Sequence, residues 1–247
     1  MKIMWPLLFA VLAASPAPAM VGGAAPVDQP AVVTIVGARG NFCSGALIAR
    51  DVVLTAAHCV AGGTPAEFKL VTYDAARTPT LHDVRRVASH PQFAAAALNA
   101  HRASADLALL QLAKPLNAQP LPIATPTLPL AASQSFRVIG IGVTVRGDGA
   151  TGGIARAATL VATSKPGTLQ IRLVDAATAN AKPGLGACTG DSGAPVLQQQ
   201  NGASVVVGLV SWSTGPNNSA GCGGLTGATP LTQYQEWIER TIAAWQR

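Results

Sequence analysis

Charge and aromatic rings are both scarce in this chain of 247 residues: Asp, Glu, Lys and Arg make up 11% of it, and Phe, Trp and Tyr 4%. With hydrophobic residues at 49%, that scarcity reverses the signature of disorder and leaves ample material for a buried core. The charge that exists is basic, 17 Lys+Arg against 11 Asp+Glu for a net +6, which alone suggests nucleic acid or an acidic surface as partner. The basic residues never cluster, however, and Arg85-Arg86 is their only adjacent pair. A nucleic-acid face needs a dense patch with aromatics between, so that class is excluded. No C-x-x-C pair occurs, which argues against zinc. The segment Glu67 to Asp74 lacks the oxygen-ligand series of a calcium loop. Neither a metal nor a cofactor is expected. Beyond the N-terminus no stretch reaches about 18 uninterrupted apolar residues, so nothing there spans a bilayer.

What is present begins with an export pattern. Lys2 is a short basic region, Ile3 to Ala14 an apolar run broken at Pro6, and Ala17-Pro18-Ala19 a small-x-small cleavage site. This predicts a signal peptide over 1–19 and a soluble mature chain over 20–247, secreted or periplasmic, off the membrane once cut and monomeric. In an oxidising compartment the four cysteines, Cys43, Cys59, Cys188 and Cys222, favour two disulfides, for which three pairings exist. Their order suggests Cys43–Cys59 and Cys188–Cys222, without excluding the other two.

After the signal, short β-rich runs alternate with turn residues. Ala31 to Val36, Ala46 to Leu54, Phe68 to Tyr73, Leu107 to Leu112, Phe136 to Val145, Leu169 to Val174 and Val205 to Trp212 read as strands. Many short strands argue for an all-β barrel or sandwich. The proline-rich stretch Pro115 to Pro129 cannot be a central strand and reads as a crossing between two halves. Only the end is helical: Tyr234, Trp237, Ile238, Ile242 and Trp245 recur on one stripe, with Thr232 and Gln235 spaced as a capping box.

Three short motifs carry possible chemistry. Thr55-Ala56-Ala57-His58-Cys59 follows an apolar run, Asp106-Leu107-Ala108-Leu109-Leu110 takes a carboxylate into one, and Gly190-Asp191-Ser192-Gly193 is rich in turn formers. Singly they read as a core histidine, an edge acid and a β-turn. Together they supply a hydroxyl nucleophile, an imidazole to take its proton, and a carboxylate to orient that imidazole. The remaining histidines lack such context: His82 and His101 read as solvated loop residues and His90 as part of a turn. Arg146-Gly147-Asp148 matches an adhesion tripeptide, but it lies in the Gly-rich run Arg146 to Gly153 and reads more simply as a flexible loop.

These motifs, in this order, resemble the chymotrypsin/trypsin-like serine proteases, in particular the secreted, bacterial-type members. Met20-Val21-Gly22-Gly23, Cys43-Ser44-Gly45-Ala46-Leu47-Ile48, Ser89-His90-Pro91-Gln92-Phe93 and Ser211-Trp212-Ser213 extend the similarity through nearly the whole mature chain. The resemblance implies two packed six-stranded antiparallel barrels and a C-terminal helix. Barrel one would occupy about 31–114, the crossing 115–130, barrel two 131–230 and the helix 231–246. It implies His58, Asp106 and Ser192 as catalytic residues and the N–H groups of Gly190 and Ser192 as the oxyanion hole. Ser211 would support Asp106, Trp212 would wall the cleft, and protein or peptide substrates and protein inhibitors would be the partners. A silent binding relative and an esterase are the alternatives, and the intact three-residue set argues against the first.

Two finer expectations concern activation and specificity. Cutting after Ala19 exposes Met20 directly, so its α-amino group would pair with Asp191 without a further propeptide. The primary pocket would be built from Gly186, Ala187, Thr189, Ser213 and Thr226. An uncharged base at Gly186 disfavours Lys and Arg, and bulk at Ser213 and Thr226 suggests a shallow pocket for small neutral side chains.

Overall fold

The computed structural model describes residues 20–74, 76–124, 131–163 and 169–247; the expected signal segment and positions 125–130 of the expected crossing lie outside them. A short strand β1 (Ala25–Pro26) precedes the first barrel. That barrel is formed by β2 (Val32–Gly37), β3 (Phe42–Ala49), β4 (Val52–Thr55), β5 (Phe68–Tyr73), β6 (Pro79–Ser89) and, after the short helix α1 (Ala95–Asn99), β7 (Ala108–Leu112). All neighbours are antiparallel and the order β2-β3-β4-β7-β6-β5 closes on itself. The second barrel uses β8 (Ser135–Gly140), β9 (Arg156–Ala162), β10 (Ile171–Val174), β11 (Pro195–Gln200), β12 (Ala203–Ser213) and β13 (Thr226–Pro230). It runs β8-β9-β10-β13-β12-β11 and closes through β11–β8, while β1 adds to β9. Helix α2 (Gln235–Trp245) ends the chain.

The two barrels share apolar surface because their strands are buried on both faces. Along β12, Val205, Val207 and Val210 enter the core of the second barrel, while Val206 and Leu209 join the cluster that fills the first. Side chains alternate across a strand, so a continuous apolar run serves two cores at once. Ile139, Ile141 and Leu197 do likewise, making the junction between barrels part of the first core. The crossing is stitched to both: Leu121 donates its N–H to Leu47 O, and Ile123 forms a parallel bridge with Val206. Cys43–Cys59 and Cys188–Cys222 are the disulfides, one in each half.

Several strand boundaries differ from those read in the sequence. Ala46 to Leu54 is not one strand: the chain turns at Arg50-Asp51 between β3 and β4, a hairpin with no Gly or Pro to announce it. The fifth predicted strand stops at Gly140 instead of reaching Val145, because Gly142 turns away to donate its N–H to Asp191. Strand β6 escaped notice because most of its side chains are exposed or half-buried and carry no apolar alternation. The capping box is absent. Leu231–Gln233 instead form a 3-10 turn that buries Leu231, and α2 begins at Gln235 without a side-chain cap. The helical stripe itself packs on the first core as expected.

His82 departs from expectation, whereas His90 does open a turn, with Phe93 N donating to its carbonyl at 3.0 Å. His82 sits half-buried on β6 with its Nε2 2.8 Å from Thr72 Oγ1. His90 is buried edge-on against Tyr234 and Trp237, each 5.0 Å away between ring centroids, and so fastens α2 to the first barrel.

One core-facing position on β9 is polar. Arg156 is 9% exposed, and its Nε and Nη1 have no hydrogen-bond partner among the described residues. Burial, and then the charge of Arg77, hold its guanidinium pKa below the ordinary value. A buried donor without an acceptor costs about 1–3 kcal/mol, so Arg156→Met, which keeps an apolar stem, is expected to stabilise the fold by about that much. A urea midpoint lower than that of the parent chain rejects this.

Candidate active site

Asp106 enters β7 from solvent-free surroundings, with 0% exposure. An ionised carboxylate survives such burial only when donors surround it. Its Oδ1 accepts the backbone N–H of His58 at 2.9 Å, and its Oδ2 lies 2.8 Å from His58 Nδ1 and accepts from Ser211 Oγ at 2.5 Å. His58 sits in the 3-10 turn Ala57–Cys59 directly after β4, and the Cys43–Cys59 disulfide ties that turn back to β3. The two contacts to Asp106 fix both the position and the plane of the imidazole. A proton on Nδ1 is satisfied by the carboxylate, which leaves Nε2 as the acceptor.

Ser192 occupies a tight turn held by both barrels. Its carbonyl accepts from Ser44 N at 2.8 Å, and the next residue, Gly193, donates to Val210 O at 2.7 Å. A Cβ at Gly193, where φ is +80°, would strike Thr55 Oγ1 and Ser44 O, so glycine is required for this approach. Gly190 is constrained similarly, with φ +92° and the Phe42 ring 2.0 Å from where a Cβ would sit. The Thr189 carbonyl accepts from Val143 N at 2.8 Å. In a trans peptide the Gly190 N–H must then point the opposite way. Neither the Gly190 nor the Ser192 N–H has an acceptor among the described residues. Two backbone donors therefore stand unpaired at a cleft of about 990 Å³ whose walls include His58, Gly190 and Ser192.

Residues 58, 106 and 192 thus converge from β4, β7 and the loop before β11. A sequence model of the trypsin family matches residues 21–238. The chain belongs to the trypsin family. Two insect proteins are similar to it over most of their length. The vitellin-degrading protease of Bombyx mori is 27% identical over 229 residues, covering 87% of this chain and 81% of that protein. A trypsin of Phaedon cochleariae is 29% identical over 211 residues, covering 75% and 74%. This member of the trypsin family is a serine endopeptidase.

The other expected site residues fall into distinct places in this trypsin-family fold. Thr189 and Ser213 line the cleft, together with Asn218 to Gly221. Gly186, Ala187 and Thr226 do not line it and are buried. Thr226 Oγ1 accepts from Ala187 N at 3.0 Å, and a Cβ on Gly186 would lie 3.0 Å from Gly223 Cα. Trp212 is 8% exposed and lies under His101, whose ring stacks on it at 4.7 Å. His101 is an exposed loop residue as expected, and its ring in addition covers the indole. Phe42 and Val143, which were not singled out from sequence, also line the cleft, as does Arg146 of the Gly-rich loop. Only the place of Phe42, just before the disulfide cysteine of β3, signals its nearness. Cys43, His58 and Cys59 come close enough together to suggest a metal site, but disulfide sulfurs are not thiolate ligands.

Asp191 is the second buried carboxylate, also at 0% exposure. It accepts from Cys188 N at 2.9 Å and Gly142 N at 2.8 Å, and Gly140 and Gly142 leave no room for a Cβ beside it. Burial raises its pKa to about 7 against the partial relief of those two N–H groups. No cation pairs with it among the described residues. Met20 is fully buried in the core of the second barrel, and Val21 bridges Gly186.

Ser211→Ala removes one donor from the buried Asp106. Hydrogen bonds to charged groups contribute about 1.5–3 kcal/mol, so the denaturation midpoint is expected to fall correspondingly. An unchanged midpoint overturns the supporting role of Ser211.

Proposed function

We propose that this chain is an exported endopeptidase that cuts peptide bonds after small or neutral apolar residues through an acyl-enzyme. The observation that carries the chemistry is the doubly fixed His58 imidazole facing the same cleft as Ser192 and the unpaired N–H groups. Ser192 Oγ attacks the carbonyl as His58 Nε2 takes its proton, and His58 returns the proton to the leaving amine. Asp106 holds the tautomer and stabilises the imidazolium that forms. The Gly190 and Ser192 N–H groups receive the developing oxyanion, each donor being worth about 2.7–4 kcal/mol in such sites. Water then repeats the sequence on the ester.

The specificity reading rests on the uncharged, buried Gly186 at the expected base and on Ser213 at the cleft wall. Among the residues at the expected base there is no carboxylate to receive Lys or Arg. Protein and peptide substrates, protein inhibitors and a monomeric state complete the proposal, with no nucleic-acid or membrane partner. Among the described residues no helix is long and apolar enough to cross a membrane. Affiliation with secreted, bacterial-type members is also proposed, although the two insect relatives named above lend it no support. The decisive experiment compares kcat/KM for matched peptide amides ending in Ala, Val, Leu, Phe and Arg. Ala or Val is expected to lead, with Arg poor, and folded Ser192→Ala and His58→Ala are expected to lose turnover by several orders of magnitude. Arg as best substrate overturns the neutral pocket, and near-normal turnover by Ser192→Ala overturns the mechanism.

Activation is proposed to follow from cutting after Ala19, which frees the Met20 α-amino group for Asp191. While Asp191 lacks a cation, the folded chain holds its proton more tightly than the unfolded chain does. Stability therefore falls as pH rises from the ordinary carboxylate range near 4 towards the folded value of about 7. An ammonium beside Asp191 lowers its pKa and removes that loss. Urea midpoints across this pH window are expected to drop less for a chain beginning at Met20 than for the uncut chain. Equal slopes reject the ion pair.

A further inference from the structure

The walls of the cleft carry His58, His101 and Arg146 and no carboxylate. Of the acids beside these walls, Asp106 and Asp191 are buried and occupied by hydrogen bonds, and Asp148 accepts from Ala150 N in its own turn. Of the lining side chains Arg146 alone carries a permanent charge, and the arrangement around Trp212 adds a second guanidinium.

Trp212 follows Ser211 on β12, and its aromatic face is not open. The His101 ring lies on it with planes 21° apart, and the Arg172 guanidinium stands 5.8 Å from the Trp212 ring centre. Where an apolar substrate side chain would otherwise meet an indole face, it meets the imidazole ring and a neighbouring cation. The loop that places His101 is hydrogen-bonded throughout. After α1, His101 N donates to Leu98 O and Arg102 N to Ala97 O, both at 2.9 Å, and Ser104 Oγ accepts from Ala94 N at 2.9 Å. His101 itself has φ +51°, a conformation that histidine enters more readily than bulky residues but still at a cost. A hydrophobic side chain would cover the indole without bringing donors to it. Arg172 shares only its Nε–H, with Gln170 Oε1 at 2.9 Å, and is otherwise exposed.

We propose that His101, Trp212 and Arg172 form an acid-selective subsite, which receives an aspartate or glutamate side chain of the substrate upstream of the bond cut. The carboxylate takes hydrogen bonds from the imidazole edge and the guanidinium while its methylenes lie against the rings. Arg146, at the rim of the same cleft, adds field of the same sign. The substrate class is therefore acidic polypeptide with a small neutral residue at the cut. This rests on the endopeptidase reading above.

The test uses the mature chain from Met20 and internally quenched peptides with Ala preceding the cut. Each of the next three upstream positions is varied among Glu, Gln, Ala and Lys. At one of them Glu is expected to exceed its isostere Gln by about fivefold in kcat/KM, the size of two partly exposed charge contacts. Lys is expected to be the poorest there, and added salt to shrink the ratio. His101→Phe keeps a ring on Trp212 without its donors, and Arg172→Gln removes the guanidinium. Each is expected to bring the Glu:Gln ratio towards one, whereas Arg240→Gln, the same charge lost from an exposed position on α2, leaves it in place. Equal rates for Glu and Gln at all three positions overturn the subsite while leaving the endopeptidase standing. So does a preference unmoved by both His101→Phe and Arg172→Gln. A folded chain that cuts none of the peptides overturns both.

Discussion

Asp106 is withdrawn from water and held by donors from both barrels, His58 through backbone and ring on one side and Ser211 Oγ on the other. These contacts join residues 48 and 105 positions apart, so the barrels must pack in one relation for the carboxylate to be satisfied. The apolar junction built by Ile139, Ile141, Leu197, Val206 and Leu209 supplies that relation. Ser44 completes it, receiving the Ser192 carbonyl at its N–H and donating its hydroxyl to Gly190 O. Burying Asp106 without these donors would cost several kcal/mol. The cleft and the fold therefore depend on the same contacts.

The second buried carboxylate shows the opposite accounting. Asp191 has two backbone N–H groups where Asp106 has a backbone N–H, a ring N–H and a hydroxyl. Its walls are glycines that cannot host a further donor side chain. Burial consequently dominates and pushes the carboxyl towards neutrality. The proposed partner is a cation brought from elsewhere in the chain, and Met20 is buried in the core of the second barrel. One carboxylate holds the His58 imidazole, and the other is the proposed partner of the Met20 α-amino group.

Much of this was legible in the sequence because strand ends and motifs coincide. His58 and Asp106 flank apolar strands, Ser192 lies between two glycines whose positive or crowded geometry the turn demands, and both disulfides follow chain order. What was not legible lies where local pattern and tertiary context conflict. The Arg50-Asp51 turn hides in an apolar run, since a hairpin between strands buried on both faces needs no change of composition. Thr232 and Gln235 have capping-box spacing, yet docking Leu231 into the core draws those residues into a 3-10 turn instead. His101 has no sequence motif at all, because its meaning comes from Trp212, a residue on the other barrel.

This division separates chemistry from selection. Groups that would act on the bond stand at strand ends and in a turn pinned by backbone hydrogen bonds and a disulfide, whereas groups that would choose the substrate stand on loops. His101 follows a five-residue helix, Arg146 opens a Gly-rich segment, and Asn218 to Gly221 precede the second disulfide. The energies match this placement. A methylene in an apolar pocket is worth about 1–3 kcal/mol and a partly exposed ion pair up to about 1 kcal/mol, so each loop residue shifts preference by a modest factor. Loss of the nucleophile or base removes orders of magnitude. A chain only 27–29% identical to its relatives can therefore change what it prefers to cut through its loops, one small increment at a time, while the contacts around Asp106 leave almost no freedom in how it cuts.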